Sequence, residues 1–133
     1  MKVFLGGTTN ESTWRNRLIA WLDIDFFNPV VDDWTPECIE EENRQKKICD
    51  YCLYVITPLM TGLYSIAEVV DDSNKRPEKT LFCTLRFDGD KEFDEGQRRS
   101  LYHIRNVVTG NGGKYFDSLK GIADFLNEQG KEK

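Results

Sequence analysis

Short continuous apolar runs alternate along the chain with longer segments in which apolar residues recur every three or four positions. Continuous runs of this length are typical of strands buried on both faces of a sheet, and the recurring pattern is typical of helices with one apolar face. The pattern predicts strands at residues 2–5, 26–31, 51–57, 80–87 and 115–116. It predicts helices at residues 13–22 and 94–108, from 35–36 onwards, within 57–77, and after a cap at 117–118.

This alternation predicts a parallel sheet with helices on both faces, because each right-handed crossover packs a helix back onto the sheet. We therefore expect a flavodoxin-like α/β fold, a three-layer sandwich with a five-stranded parallel sheet in the order 2-1-3-4-5. A length of 133 residues fits one domain, so residues 1–133 are predicted to fold as a single unit. In such folds ligands bind at the carboxyl ends of the strands, where the strand order reverses.

Charge and hydropathy narrow the classes of function. The 18 Lys and Arg residues stand against 23 Asp and Glu residues, a formal net charge of −5, which argues against a nucleic-acid partner. No apolar run approaches the ~20 residues of a membrane span, and the N-terminus lacks a signal peptide's apolar region. We expect a cytoplasmic protein without a membrane partner, whose four cysteines are free thiols. Cys49 and Cys52 have the spacing of half a zinc site, but no second ligand pair completes it, so no metal site is predicted.

Three polar loops follow predicted strands at the edge of the sheet where ligands bind. They comprise residues 6–10, 32–34 and 57–62, and they ring one crevice if the first and third strands are neighbours. Their glycines permit close backbone approach, and their polar and aromatic groups suit a polar ligand that carries a ring. Asp33 and Trp34 are candidates to bind a base by a hydrogen bond and by stacking, and a half-buried loop aromatic is an equally good interpretation of Trp34.

One carboxylate stands apart on the helix predicted within residues 57–77. Tyr64 and Glu68 lie four residues apart on one face, so the tyrosine hydroxyl is placed to donate a hydrogen bond to the carboxylate. The helix N-terminus favours an ionised carboxylate, which can act as a nucleophile at a crevice rim. The alternative is a solvated helix acid, the common role of a surface glutamate. The face expected to pack on the sheet carries Leu63, Ile66, Ala67 and Val70.

The segment DYCLYVITPLMTGLYSIAE, residues 50–68, resembles the core motif of the nucleoside 2-deoxyribosyltransferase family, with which the deoxynucleoside 5'-monophosphate N-glycosidases are grouped. The pattern runs from Asp50 through a buried strand, a proline-containing loop and Gly62 to a helix with a nucleophilic glutamate, here Glu68. The N-terminal KVFLGGTTNESTWR resembles the family's first strand and substrate loop. By this resemblance Glu42, eight residues before Asp50, orients substrate and nucleophile. The candidate binding residues are Gly7, Thr8, Thr9, Asn10, Trp14, Asp33, Trp34, Gly62 and Ser65.

Three features depart from the family pattern. Glu42 stands where the family usually has aspartate, and its extra methylene group moves the carboxylate. Val69 directly follows Glu68, at a position where the family often has glycine. Residues 59–61 are neutral, whereas the transferases carry a second acid near this loop, so efficient transfer is less favoured than the overall resemblance implies.

The resemblance implies an enzyme that cleaves the N-glycosidic bond of a 2'-deoxynucleoside or its monophosphate. Glu68 would attack the anomeric carbon to form a 2-deoxyribosyl ester, Tyr64 would orient Glu68, and another base or water would resolve the ester. This chemistry requires no metal or organic cofactor. The alternative is a non-catalytic module that binds a nucleotide or a nucleotide-derived signal in the same crevice.

The resemblance also implies oligomers in which a neighbouring subunit completes each crevice. The crevice loops are short, and water must be limited if an ester is to wait for an acceptor. We expect a homodimer or a higher even assembly, with Ile39 and Leu63 as candidate interface positions. His103 is expected to be structural, and the glycines at 6–7 lack the spacing of NAD or ATP sites.

Overall fold

The computed structural model describes residues 1–132. Its strands are β1 (Lys2–Gly7), β2 (Asp25–Phe27), β3 (Tyr51–Ile56), β4 (Thr80–Thr84), β5 (Phe87–Asp88), β6 (Lys91–Glu92) and β7 (Lys114–Phe116). Its α-helices are α1 (Trp14–Ile19), α2 (Pro36–Ile48), α3 (Tyr64–Lys75), α4 (Glu95–Gly110) and α5 (Leu119–Lys131). Five parallel strands form a sheet in the order β2-β1-β3-β4-β7, flanked by helices. This confirms the flavodoxin-like sandwich and the predicted order, since β5 and β6 form a separate ribbon that precedes the fifth sheet strand in the chain.

The central strand β3 builds a core on each face of the sheet. Leu53 and Val55 belong to the apolar cluster that includes side chains of α1 and α5. Cys52, Tyr54 and Ile56 belong to the cluster that includes side chains of α3 and α4. All five side chains are fully buried, which explains why this strand reads in the sequence as a continuous apolar run.

Helix α3 packs on the sheet with a face different from the predicted one. Leu63 lies just before the helix and is 71% exposed, and Ala67 is exposed as well. Val69 and Ser73 are fully buried instead, so the residue after Glu68 is a core position. The predicted face was wrong at Leu63 and Ala67, because the pattern of apolar residues did not reveal that a polar residue of the helix is buried.

That buried polar residue is Asp72, and its partners explain the rotation of the helix. The Tyr54 hydroxyl donates a hydrogen bond to the Asp72 carboxylate. The Arg76 guanidinium lies 3.3 Å from the same carboxylate. Burial, and then the neighbouring carboxylate, raise the pKa of Tyr54. These two partners offset the free-energy cost of burying the Asp72 carboxylate. Asp72 can therefore face the core, and the same orientation of α3 buries Val69.

Two strands are shorter than predicted by three residues. β2 ends before Pro29, which cannot donate a ladder hydrogen bond, so it does not extend over residues 26–31. β4 ends at Thr84, and the chain then forms the antiparallel ribbon of β5 and β6 with Gly89 at a φ of 62° in the turn. Helix α1 is likewise shorter than the predicted segment 13–22.

The C-terminal third follows the predicted elements closely. The helix predicted at 94–108 is α4, and the strand predicted at 115–116 is β7. Ser118 caps α5 by accepting a hydrogen bond from the Gly121 backbone N–H at 3.1 Å, in agreement with the predicted cap. Within residues 1–132, none of the helices is both long and apolar enough to cross a bilayer.

Candidate active site

A crevice opens at the carboxyl end of β1, beside the loop after β2, α2 and the first turns of α3. Its volume is about 570 Å³, which is within the range of sites for small molecules. The strand order reverses between β1 and β3, so the crevice occupies the position that the fold predicts for a ligand. Its walls are formed by Phe4, Gly6, Gly7, Thr9, Arg15, Pro29, Val30, Val31, Trp34, Ile39, Glu42, Asn43, Lys46, Tyr64, Ser65 and Glu68.

The loop after β1 reaches the crevice because Gly7 lets two backbones touch. Gly7 has a φ of 121°, and a Cβ there would lie 2.1 Å from the Val55 carbonyl oxygen. Thr8 joins the two strand ends, since its backbone N–H donates to Val55 O at 2.8 Å and its hydroxyl accepts from the Thr57 N–H at 2.9 Å. Only glycine fits at position 7, and Thr8 serves mainly to hold the loops in place.

Glu68 projects from α3 into the crevice and forms an ion pair with Lys46 of α2. The two side chains are only 15% and 10% exposed. The Lys46 ammonium also lies 5.5 Å from the centre of the Phe4 ring. In such a partly desolvated setting two opposite charges attract each other more strongly than they would in water.

Tyr64, the predicted hydrogen-bond donor to Glu68, does not fill that role in the structure. Its side chain is 75% exposed, and among residues 1–132 its hydroxyl makes no hydrogen bond to the Glu68 carboxylate. Tyr64 is the first residue of α3, where it lines the crevice rim. The orienting group of Glu68 is Lys46, which reaches it from a different helix.

A second carboxylate, Glu42, lines the crevice one helical turn before Lys46 on α2. Burial raises the pKa of Glu42, and the negative charge of Glu68 raises it further. The charges of Lys46 and Arg15 act in the opposite direction. The crevice therefore holds two carboxyl groups in different electrostatic environments, one ion-paired and one biased towards its protonated form.

Arg15 forms part of the crevice wall, although nothing in its spacing along the sequence identifies it. Its side chain donates to three backbone carbonyls, at 3.0 Å to Leu5, 2.7 Å to Thr8 and 3.3 Å to Gly7. Burial lowers the pKa of Arg15 to about 10, against the opposing charge of Glu42. Its hydrogen bonds fix the loop after β1, so Arg15 is a structural cation beneath the crevice.

A model of the family described as nucleoside 2-deoxyribosyltransferase like matches residues 1–84, which include every residue that lines the crevice. The chain belongs to this family. No curated protein and no solved structure shows a significant match to the chain. The family match ends at the last residue of β4, so the ribbon, α4, β7 and α5 lie beyond it.

The positions of the deoxyribosyltransferase-like motif have separate roles in this member of the family. The Asp50 carboxylate lies at the amino end of β3, away from the crevice, and accepts a hydrogen bond from the Lys2 backbone N–H at 2.9 Å. Gly62 lies in the loop before α3, and an added Cβ there would meet open space. Asp50 therefore ties β1 to β3, and of Asp50, Gly62 and Glu68 it is Glu68 that lines the crevice.

The structure brings most of the predicted site residues together. Seven of them line the crevice itself, namely Glu68, Tyr64, Glu42, Gly7, Thr9, Trp34 and Ser65. A recess of about 300 Å³ adjoins the crevice through shared walls and includes the predicted residues Thr8, Asn10 and Gly62. In that recess the Asn10 amide donates to Leu59 O at 2.9 Å and to the Thr61 hydroxyl at 2.8 Å, so it links the loops after β1 and β3.

Trp14 and Asp33 line neither cavity, and their contact with a ligand stays a prediction. Trp14 is fully buried, because its indole N–H donates to Thr8 O at 2.8 Å from beneath the loop. Asp33 is exposed, while its neighbour Trp34 lines the crevice.

Lys46, the ion-pair partner of Glu68 in the crevice, was missed by the sequence reasoning. A signal for it exists, since Glu42 and Lys46 are four residues apart and share one face of α2. Once Glu42 is assigned to the crevice, Lys46 follows at the next turn. The apolar wall formed by Val30 and Val31 has no comparable signal, because the predicted strand at 26–31 placed both residues in the sheet.

Proposed function

We propose that the protein cleaves the N-glycosidic bond of a 2'-deoxynucleoside, or of its 5'-monophosphate, and transfers the deoxyribosyl group to another base or to water. The observation that carries the proposal is the Glu68 carboxylate, paired with Lys46 at the wall of a crevice large enough for a nucleoside. Membership of the deoxyribosyltransferase-like family supports the same chemistry. The substrate sugar lies against Glu68 in this proposal.

In the first step an oxygen of Glu68 forms a bond to the anomeric carbon as the bond from that carbon to the base nitrogen breaks. The electron pair of the broken bond stays on the base. Glu42 donates the proton that neutralises the leaving base, and the raised pKa of Glu42 suits it to carry that proton. The products of this step are a free base and a 2-deoxyribosyl ester of Glu68.

The charges of the crevice support this assignment of roles. In this proposal Lys46 balances the charge of Glu68 before the step, and Glu42 carries the proton that it will donate. After the step, Glu68 is an uncharged ester, and Lys46 balances the newly ionised Glu42, which lies one turn away on the same helix. The net charge of the three groups stays at zero throughout, so the partly buried site avoids an uncompensated charge.

In the second step a free base or a water molecule attacks the same anomeric carbon, and the bond to Glu68 breaks. Glu42, now ionised, accepts the proton that the attacking group releases. The Trp34 side chain and the neighbouring Val30 and Val31 offer an aromatic and aliphatic wall against which the base stacks. The reaction needs only these carboxyl groups, Lys46 and the binding surfaces.

A second copy of the chain completes the crevice in this proposal. The rim carries exposed apolar side chains, with Trp34 at 60%, Ile39 at 47% and Tyr64 at 75% exposed. A homodimer that covers them would limit water around the ester. Light scattering at micromolar concentration should therefore report at least twice the 15.5 kDa of one chain. A mass of one chain together with full activity would contradict the dimer.

A binding module without catalysis is the second candidate. The observation that favours it is the ion pair itself, because Lys46 satisfies Glu68 as a purely structural partner would. In that case the crevice would bind a nucleotide or a nucleotide-derived signal and leave its N-glycosidic bond intact.

The deciding experiment incubates the protein with common deoxynucleosides and their monophosphates, with and without a free acceptor base, and separates the products by chromatography. We expect free base or a new nucleoside, and a loss of about a thousandfold or more for Glu68→Gln. Asp71→Asn is the matched control, because Asp71 is an exposed carboxylate on the same helix. Binding of a substrate without any product would favour the binding module, and an active Glu68→Gln variant would refute the nucleophile.

A further inference from the structure

A second cavity, which we call the arginine recess, opens beyond the carboxyl ends of β4 and β7. Its volume is about 370 Å³. It shares no lining residue with the crevice, and all but one of its lining residues lie outside the family match. It is lined by Thr84, Arg86, Phe93, Arg98, Leu101, Tyr102, Arg105, Tyr115 and Asp117.

The recess concentrates positive charge in a protein whose formal net charge is −5. Arg86 is paired with Glu92 at 2.8 Å. Arg98 and Arg105 form no ion pair with any carboxylate among residues 1–132. Asp117 is the acid among the lining residues. Two guanidinium groups therefore remain available to an anion from solution.

Helix α4 aligns these groups, because Arg98, Tyr102 and Arg105 recur at the spacing of one helix face. Arg105 stacks over the Tyr115 ring, with its guanidinium carbon 4.3 Å from the ring centre. The Tyr115 hydroxyl is hydrogen-bonded to the Thr84 hydroxyl, which fixes the ring. The position of Arg105 is thus set before any ligand arrives.

The same recess offers aromatic surface to a ligand. Phe93 is buried at its base, and Tyr102 is 57% exposed at its edge. An exposed tyrosine beside unpaired guanidinium groups can stack on a planar ring while the arginines bind a charged group next to that ring. Free carboxylates or inorganic ions would use only half of this surface.

We propose that the arginine recess binds a small molecule that carries a phosphate monoester and an aromatic ring, that is, a nucleoside monophosphate. The planar guanidinium groups of Arg98 and Arg105 match phosphate oxygens with paired hydrogen bonds, and a dianion balances both. The ring stacks on Tyr102. This proposal is independent of the chemistry proposed for the crevice, because the two cavities have no residue in common.

Isothermal titration calorimetry with AMP, adenosine and inorganic phosphate as probes tests the proposal. We expect AMP to bind about tenfold or more tightly than adenosine or phosphate, because only AMP offers both the dianion and the ring. Equal affinity for AMP and phosphate would overturn the aromatic part, and equal affinity for AMP and adenosine would overturn the phosphate part. Absence of AMP binding would overturn the whole proposal.

Matched variants locate the bound AMP. Arg98→Ala should weaken AMP binding about tenfold, whereas Arg99→Ala should change it less than about twofold. Arg99 is the next residue of α4, carries the same charge, lines no part of the recess and is paired with Glu95 at 3.2 Å. If AMP affinity is the same in both variants, the ligand lies elsewhere and the proposal is wrong.

A further variant separates the ring from the charge. Tyr102→Ala keeps all three arginines, so it should weaken AMP binding and leave the affinity for inorganic phosphate within about twofold. Tyr102 is more than half exposed, so the variant is expected to fold. An unchanged AMP affinity in Tyr102→Ala would contradict stacking in the recess.

Discussion

The crevice and the arginine recess open at the same edge of one sheet and hold their charges in opposite ways. In the crevice, Lys46 and Glu68 are mostly buried and form an ion pair, and Arg15 is saturated by backbone carbonyls. In the recess, Arg98 and Arg105 are exposed and have no carboxylate partner among the described residues. A buried charge is costly unless it is paired, whereas an exposed charge can remain unpaired and bind an ion from solution.

This difference separates a site suited to chemistry from a site suited to binding. Paired and partly dry charges have fixed positions and strong mutual fields, which a covalent reaction needs. Open guanidinium groups without a carboxylate partner are available to bind an anion from solution. The crevice also lies within the family match and the recess almost wholly beyond it, so the two sites belong to different parts of the chain.

Among the variants that test this contrast, we expect the largest effect from Lys46→Met. It removes the cation of the ion pair in the crevice and keeps an unbranched side chain. Glu68 would lose its charged partner in a partly dry site. We expect base release to fall about 10- to 100-fold, which corresponds to the loss of a hydrogen bond to a charged group. The free energy of unfolding should fall by about 1–3 kcal/mol, because one member of the pair remains unpaired. Activity assays and urea denaturation measure the two quantities.

Lys47→Met is the control, because Lys47 is the exposed neighbour on the same helix. The double variant Lys46→Met/Glu68→Gln should recover part of the lost stability, since it leaves no unpaired charge. If Lys46→Met is as stable and as active as Lys47→Met, the ion pair contributes nothing and the contrast with the recess fails.

Salt should affect the two cavities differently. Raising the salt concentration from about 0.05 M to about 0.5 M should weaken AMP binding at the recess about tenfold, because exposed charges are screened. The Michaelis constant for an uncharged deoxynucleoside in the crevice should change less than about twofold, because its binding needs no exposed charge. Calorimetry and initial-rate kinetics at both salt concentrations provide the comparison. Equal salt dependence of both quantities would contradict the distinction between the cavities.

Much of the fold follows from the sequence, because its signals are local. β3 is recognisable as a buried strand because its own residues form a continuous apolar run, and Ser118 caps α5 as expected. The order of the sheet follows from right-handed crossovers. The rotation of α3 was not predicted, because Asp72 is buried by partners on β3 and at the end of α3, and apolar periodicity does not register a buried carboxylate.

The site was predicted where family resemblance and loop position agree, and was missed where a contact joins distant elements. Glu68, Glu42 and Trp34 line the crevice as expected. The ion pair of Glu68 joins residues 22 positions apart on two helices, so it depends on how those helices pack. The arginine recess likewise depends on the docking of α4 against β7, whereas the sequence shows only a polar helix face.

The smallest expected effect is the loss of stability caused by burying the Glu42 carboxyl group in the crevice. The pH dependence of thermal unfolding in the Glu42→Gln variant tests it. Burial, and then the charge of Glu68, raise the pKa of Glu42 in the folded protein above its ordinary value. As pH rises through the interval between the ordinary and the raised pKa, the unfolded chain releases this proton first, so the carboxyl group lowers stability increasingly. Below that interval both states keep the proton and the contribution disappears. Glutamine has no such proton, so Glu42→Gln should raise the melting temperature more at about pH 7 than at about pH 4.

Glu40→Gln, an exposed position on the same helix, controls for the loss of one negative charge. If both variants show the same pH dependence in thermal unfolding, burial does not set the Glu42 carboxyl apart, and its role as proton donor loses its physical basis.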